Sequence, residues 1–326
     1  GFTISNSHHS NSGLDLSGSD LELTNLIIKN NYGEGGGITC HSSNPLITNT
    51  LIYNNSGYNA GGIYLSNSDP ELINVTITNN TSTNQWGNHT GGAISSRFSC
   101  NVNLTNCILW DNSPKEVQVY FVIGSENFYG NTFTVNHSNI QGGSENIDIS
   151  SADSLFYHSR NINIDPAFID ADNDDYHLSN YSPCIAAGLD TSIVPTTDID
   201  GNARPNPAGS NPDMGAYENA RAIPAEYIAI SNDLLIVLED SSSTIDLLDN
   251  DSLLNITSFT LAIVDSADNG TIALVGDTAL TYTPNANFFG HDTVTYRVFG
   301  SEAADTGLVF ITVLNEDDLP VVANPL

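Results

Sequence analysis

LELTNLIIKNN (21–31), PLITNTLIYNN (45–55), PELINVTITNN (70–80) and NVNLTNCILWDN (101–112) are four versions of one pattern. Each has an apolar residue, Asn two positions on, an apolar stretch, and then Asn or Asp followed by Asn. The first Asn recurs at Asn25, Asn49, Asn74 and Asn106, with spacings of 24, 25 and 32 residues. A glycine-rich stretch recurs between the copies: GGGI (35–38), GGIY (61–64) and GGAI (91–94). A period of this length marks a stacked-repeat architecture.

Alignment on the first Asn gives two apolar columns. Leu23, Ile47, Leu72 and Leu104 stand two residues before it; Ile28, Ile52, Ile77 and Leu109 stand three after it. The segments are short, rich in β-branched residues and bounded by Gly, Asn, Ser and Pro, which predicts strands rather than helices. With one coil per repeat, equivalent residues stack ~4.8 Å apart and the columns become inner ladders. No coil buries its own face, so each depends on its neighbours. Asn tolerates the left-handed backbone of a sharp corner. Its amide can also bond to the Asn above and below, so Asn25, Asn49, Asn74 and Asn106 are expected to form a stacked ladder. Ordinary turn formation is the plainer alternative. GFTISN (1–6) fits the same frame, since Phe2 and Leu26 are 24 residues apart.

The repeat resembles that of right-handed parallel β-helix proteins, the pectate-lyase-like and bacterial surface families. The resemblance implies an all-β solenoid over residues 1–150, begun partway through a coil and therefore expected to continue upstream. Residues 151–221 change character. DPAF (165–168), YHLSNYSPCIAAG (176–188), DIDGNARP (198–205) and DMGAYE (213–218) resemble, in order, the segment that ends bacterial β-helix proteins of the choice-of-anchor type. That implies a C-terminal cap burying the last apolar coil.

AIPAE (222–226) reads as a boundary. Beyond it, seven short alternating segments predict an antiparallel β-sandwich over 222–318: 234–238, 243–248, 257–264, 271–275, 279–284, 292–299 and 308–314. The stretch resembles the cadherin-like, Ig-like tandem domains of large bacterial adhesins. Residues 319–326 would then be a linker and the start of a further copy, placing more domains of the same chain on both sides.

Composition narrows the partners. The chain has 326 residues, with 38 acidic against 7 basic side chains and a net charge of −31. Nucleic acid needs a basic footprint and is a poor partner. No apolar run spans a bilayer, so membrane insertion is not expected. None of Cys40, Cys100, Cys107 and Cys184 has metal-site spacing. Cys107 falls in the column of Leu26, Thr50 and Val75, which suits a packed thiol; a local Cys100–Cys107 disulfide is the alternative.

Calcium, a hard cation that favours clustered oxygens, is the expected cofactor. Glu239, Asp240, Asp292, Asn315, Glu316, Asp317 and Asp318 sit where cadherin-like arrays hold it between domains. Weaker candidates are Asp170, Asp172, Asp174 and Asp175, and the pair Asp198 and Asp200; solvated turns are their alternative. Four residues after the first Asn, the column Lys29, Tyr53, Thr78, Trp110 should face outward, making Tyr53 and Trp110 candidates for stacking on a glycan or a cell-surface protein. Two after it, Ile27, Leu51, Thr76 and Ile108 lack the regular Thr array of an ice-binding face.

Two functions follow. One is a structural and adhesive module of a secreted bacterial cell-surface protein, able to self-associate into a homo-oligomer or fibre. The other is a carbohydrate-active enzyme, a lyase or hydrolase of the β-helix type. For catalysis, Lys29, Lys115, Arg97, Arg160 and Arg204 are scattered, and His8, His9 and His41 form no motif. Three or more polar side chains converging on one solenoid face would favour the enzyme.

Overall fold

The computed structural model describes residues 1–7, 12–83, 91–120 and 130–316. It is all-β: a right-handed parallel β-helix with a C-terminal segment packed on it, followed by a β-sandwich. The chain divides into two compact units, Gly1–Pro224 and Ala225–Leu326.

Two parallel ladders run the length of the solenoid, and a third joins three of its coils. The first links Phe2–Ser5, Leu26–Lys29, Leu46–Tyr53, Glu71–Thr78, Asn101–Thr105, Thr132–Asn136 and Ser154–Tyr157. The second links Leu14–Ser17, Ile38–His41, Ile63–Ser66, Ile94–Arg97, Val117–Tyr120 and Ile147–Ile149. The third is two residues wide, at Tyr32–Gly33, Ser56–Gly57 and Thr81–Ser82. Phe2 pairs with Leu26, as the spacing predicts. The apolar columns are in register: Leu23, Ile47, Leu72 and Leu104 stack, as do Ile28, Ile52, Ile77 and Leu109, and all lie in the core. The first ladder continues to Tyr157, past the expected solenoid end at residue 150.

Each coil turns sharply at two asparagine-marked corners. Asn25, Asn49, Asn74 and Asn106 have φ of 57, 43, 54 and 55°. Asn30, Asn54, Asn79 and Asp111, at the far end of each strand, have φ of 55, 53, 54 and 56°. These are left-handed values that Asn and Asp accept more readily than other side chains. Gly36 shows why the glycine stretch recurs. Its φ is +53°, and a Cβ there would collide with the Gly61 carbonyl of the next coil.

All four cysteines are buried free thiols. Cys107 packs in the core as its column predicts, and burial pushes it up to about 12.

In the second unit a four-stranded sheet, Asp233–Leu238, Ala304–Leu314, Gly290–Phe299 and Thr260–Asp265, is one layer. Ser243–Asp246, Ala279–Pro284 and Gly270–Val275 form the other. Leu235, Val237, Leu280, Tyr282, Val294, Tyr296, Val309 and Ile311 belong to one core. All seven predicted strands are present. One departure from a purely antiparallel sandwich is that Asp233–Leu238 pairs parallel with Ala304–Leu314. A further short pair, Tyr227–Ala229 with Ser252–Leu254, escapes the sequence pattern.

Candidate functional site

The predicted asparagine ladder exists, but on the other asparagine. Asn31, Asn55, Asn80 and Asn112, the last residues of each repeated segment, are buried and stack. In each step one Oδ1 accepts both the backbone N–H and the Nδ2 of the preceding coil. The pairs Asn31–Asn55, Asn55–Asn80 and Asn80–Asn112 all have N···O distances of 2.9–3.0 Å. Each Nδ2 also donates to a main-chain carbonyl of the coil before, for example Asn55 to Ile28 at 2.9 Å. The column ends on a carboxyl: Glu116 accepts the Asn112 N–H at 3.1 Å and its Nδ2 at 2.7 Å. Burial pushes Glu116 up to about 8, although the Asn112 bonds oppose the shift.

The column of Asn25, Asn49, Asn74 and Asn106 has a different use. It contains one long stacking bond, from Asn106 Nδ2 to Asn74 Oδ1 at 3.4 Å. Its remaining bonds reach residues 165–219, a segment that acts as a strap. Asn49 donates to the Thr197 carbonyl at 2.6 Å, Asn74 to the Asp213 carbonyl at 2.8 Å, and Asn106 to the Leu189 carbonyl at 3.0 Å. The strap starts at the last coils, where Asn139 Nδ2 donates to Ile164 O at 2.7 Å, and runs back along the flank to Lys29. Closure is therefore largely lateral, where the sequence resemblance implied burial of the final coil.

That lateral position corrects the reading of the outward columns. Tyr53 is 3% exposed, and Trp110 packs beside the buried cluster of Ile108, Leu178, Cys184, Ile185 and Met214. Tyr53 presents no free stacking face, and Trp110 is partly covered. The Tyr53 ring meets Tyr176 at 4.9 Å between centroids, and Tyr176 meets Phe168 at 5.3 Å. Leu51 and Ile108 are buried under the same strap. Each such side chain contributes roughly 1.5–3 kcal/mol by leaving water. The sequence held the signal: two outward columns reading Ile27, Leu51, Thr76, Ile108 and Lys29, Tyr53, Thr78, Trp110 are too apolar for a solvated surface.

A buried charged group fixes the strap. Arg204 Nε donates to Glu218 Oε2 at 2.8 Å, Nη1 to Asn49 Oδ1 at 2.9 Å, and Nη2 to the Gly215 carbonyl at 3.1 Å. Asp198 accepts the N–H groups of Asp200, Asn202 and Glu218 at 2.8–3.0 Å. Asp213 accepts those of Ala186 and Asn219, both at 2.6 Å. Burial, with Glu218 adding to it, pushes Asp213 up to about 7. Burial also raises Glu218, an effect Arg204 partly offsets. DIDGNARP and DMGAYE thus carry the ion pair and turn carboxylates of a structural clamp.

The calcium candidates do not converge. Among the described residues no three His, Cys, Asp or Glu side chains could share a metal ion. Asp174 faces Lys29, Tyr53 and Asn54 at 3.4, 3.2 and 3.1 Å, and Asp170 accepts Asn173 Nδ2 at 2.8 Å. Asp172 is exposed. Asp175 and Asp200 flank His177 at 2.6 and 2.8 Å. Burial alone would lower that imidazole, but the two carboxylates hold it above its ordinary value. In the sandwich, Asp292 accepts the N–H groups of Asp268 and Asn269 and the Tyr282 hydroxyl at 2.8–3.1 Å. Asp240 accepts the Asn287 N–H at 3.2 Å. Glu239 accepts the N–H of Glu316 at 2.6 Å, where Asn315 and Glu316 begin the linker. Asp317 and Asp318 lie outside the described residues, as do His8 and His9.

One polar group does gather on the second ladder. His41 Nε2 lies 3.2 Å from Glu34 Oε2, and Asn59 Nδ2 donates to Glu34 Oε1 at 2.9 Å. The His41 ring contacts Tyr64 edge-on at 5.9 Å. Burial raises the Tyr64 phenol, and the neighbouring Arg97 charge works against that.

With this geometry in hand, the comparisons agree with both units. Residues 1–133 match the family model of the right handed beta helix region, and residues 224–312 match that of the bacterial Ig domain. A search of curated proteins finds no match to the chain. Among the described residues no helix is long and apolar enough to cross a membrane.

Proposed function

We propose that the chain is a rigid structural and adhesive module of a large secreted bacterial surface protein. The β-helix is its stiff spacer and contact body, and the cadherin-like domain is part of a stalk. One observation carries this reading. The chemistry-bearing residues of the strap motifs, Asp198, Arg204, Asp213 and Glu218, are buried and bonded to the strap or to the solenoid corner at Asn49. They stiffen a body instead of facing a substrate. Contact with a glycan or cell-surface protein, and lateral assembly into a fibre, are the expected activities. Glycan-array binding and sedimentation of the whole chain test them; a chain that binds no glycan or cell surface and stays monomeric at high concentration would remove the adhesive part.

A carbohydrate-active enzyme is the second reading, favoured by the Glu34, His41, Tyr64 and Arg97 group. Incubation with polyuronates and neutral glycans decides it. Turnover abolished by His41→Ala would establish the enzyme and displace the module.

Calcium belongs to the stalk part of the proposal. Glu239 accepts the N–H of Glu316, which brings two carboxyl-bearing residues to the start of the acidic linker. Scanning calorimetry of the whole chain with and without chelator tests it; unchanged unfolding of the second unit removes calcium from the reading.

A further inference from the structure

The corner column has one more member, and it differs from the rest. His137 has φ of 44° and follows Asn136, which pairs with Thr105, so it takes the place that Asn106 holds one coil earlier. The strap engages Asn49, Asn74 and Asn106 but leaves a cavity of about 580 Å3 beside His137. Arg160 and His137 line its coil side, and Gly188, Leu189, Asp190 and Asn211 line its strap side. Its volume is that of a small-molecule site.

The charges of this cavity run against those of the chain. Net charge is −31, yet Arg160 and His137 share one wall, with His158 close enough to act on the His137 ring. Lys29, Lys115 and Arg204 have carboxylate partners, whereas Arg160 makes no ion pair among the described residues. His137 Nδ1 lies 2.9 Å from Asn136 Oδ1, which leaves Nε2 for another partner. Burial lowers the His137 imidazole, and the Arg160 and His158 charges lower it further. An anion at that wall would relieve both Arg160 and His137. Opposite it, Asp190 and Asn211 offer acceptors and an amide to hydroxyl groups, and Leu189 offers an apolar face.

We propose that this cavity binds an acidic saccharide, its anionic group against Arg160 and His137 and its hydroxyls toward Asp190 and Asn211. A guanidinium fork suits a carboxylate or a sulfate equally, so the shared chemistry is an anion on a hydroxylated ring. The inference deepens the glycan-contact part of the proposed function and rests on it.

Calorimetric titration of the whole chain tests it with glucuronate, a sulfated glucose, glucose and acetate. Both acidic sugars, or either one, should bind at least ~10-fold more tightly than glucose and acetate, the loss expected when a charge-assisted contact is absent. Arg160→Ala should remove that preference, and Lys115→Ala, which changes the net charge equally far from the cavity, should not. Arg160 is exposed, and an unchanged melting temperature of its variant shows that the fold is intact. The His137 ring nitrogen resonances should move toward the protonated form on binding. Equal weakening by Lys115→Ala, no preference for acidic sugars, or a static His137 signal overturns the site. Neutral glycans retained on arrays after any of those results would leave the adhesive reading standing without this cavity.

Discussion

Each coil turns two corners on asparagine, and the corners serve different ends. At one, Asn31, Asn55, Asn80 and Asn112 bond to their own kind along the solenoid axis. At the other, Asn49, Asn74 and Asn106 bond outward, to a strap more than 80 residues away in sequence. The side chain is the same, and each corner has a left-handed residue, at Asn49, Asn74 and Asn106 themselves or just before Asn31, Asn55, Asn80 and Asn112. What differs is the direction in which the amide points: into the stack, where the neighbour is another Asn, or out to a flank that a later segment covers. A repeat in sequence therefore fixes geometry without fixing use.

The comparison breaks most readily at Arg204. Arg204→Met leaves Glu218, Asp198 and Asp213 buried without their cation. Losing one partner of a buried pair costs about 3–5 kcal/mol. The loss should fall on the strap first. Hydrogen exchange should show residues 165–219 opening while the Ile28, Ile52 and Ile77 amides stay protected. Uniform loss of protection would mean that strap and coils form a single cooperative unit.

Next comes the ladder itself. Asn80→Ala deprives the Asn55 N–H and amide of their acceptor and removes one of the two donors to Asn112 Oδ1. Buried groups left unsatisfied cost about 1–3 kcal/mol each, so a loss of at least ~2 kcal/mol in denaturant unfolding is expected. Asn74→Ala should cost less in coil stability and more in strap protection. The reverse order would show the two corners to be equivalent.

Much of this fold is legible in the sequence. Register is, because the inward columns keep a fixed offset from the repeated Asn and a one-residue slip would expose every Ile. The corners are, because few residues but Asn and Gly accept positive φ. The seven sandwich strands are, from alternation alone. The strap is harder to see, since an outward Tyr53 looks the same in sequence whether water or Tyr176 covers it. Which asparagine stacks is also hidden, because both have the same spacing. Arg204 counted among scattered basic residues because its partner Glu218 and its acceptor Asn49 are distant in the chain. Asp174 and Asp200 resembled metal ligands because a carboxylate run does not say which oxygens already have donors.

The two corners should also respond together to pH. Glu116 ends the ladder and Asp213 anchors the strap; burial holds them at about 8 and about 7. Both pKa values lie above the unfolded range, so these groups add stability below about pH 4, and it is lost as pH rises through 7 and 8. His177, also raised, acts in the same direction above its ordinary value. The melting temperature of the first unit should therefore be lower at pH 9 than at pH 5.5. Glu116→Gln keeps an acceptor for the Asn112 N–H and should flatten the profile. A profile that rises over this window would contradict both buried carboxyls.

The smallest effect belongs to Asn25, the member of the outer column for which no strap bond is seen. Its φ is 57° and its Oδ1 is buried without a partner. Its one visible reason for being Asn is the left-handed corner, which Gly occupies without steric cost. Asn25→Gly should change stability by less than ~0.5 kcal/mol, the added chain entropy of Gly being set against the relief of an unbonded amide oxygen. Asn49→Gly has the same backbone consequence but also removes the acceptor of Arg204 and the donor to Thr197, so it should cost about 2 kcal/mol more. Denaturant midpoints of the two variants measure that difference directly. If they coincide, the strap bonds at Asn49 add nothing beyond the corner, and the outer column is a row of turns after all.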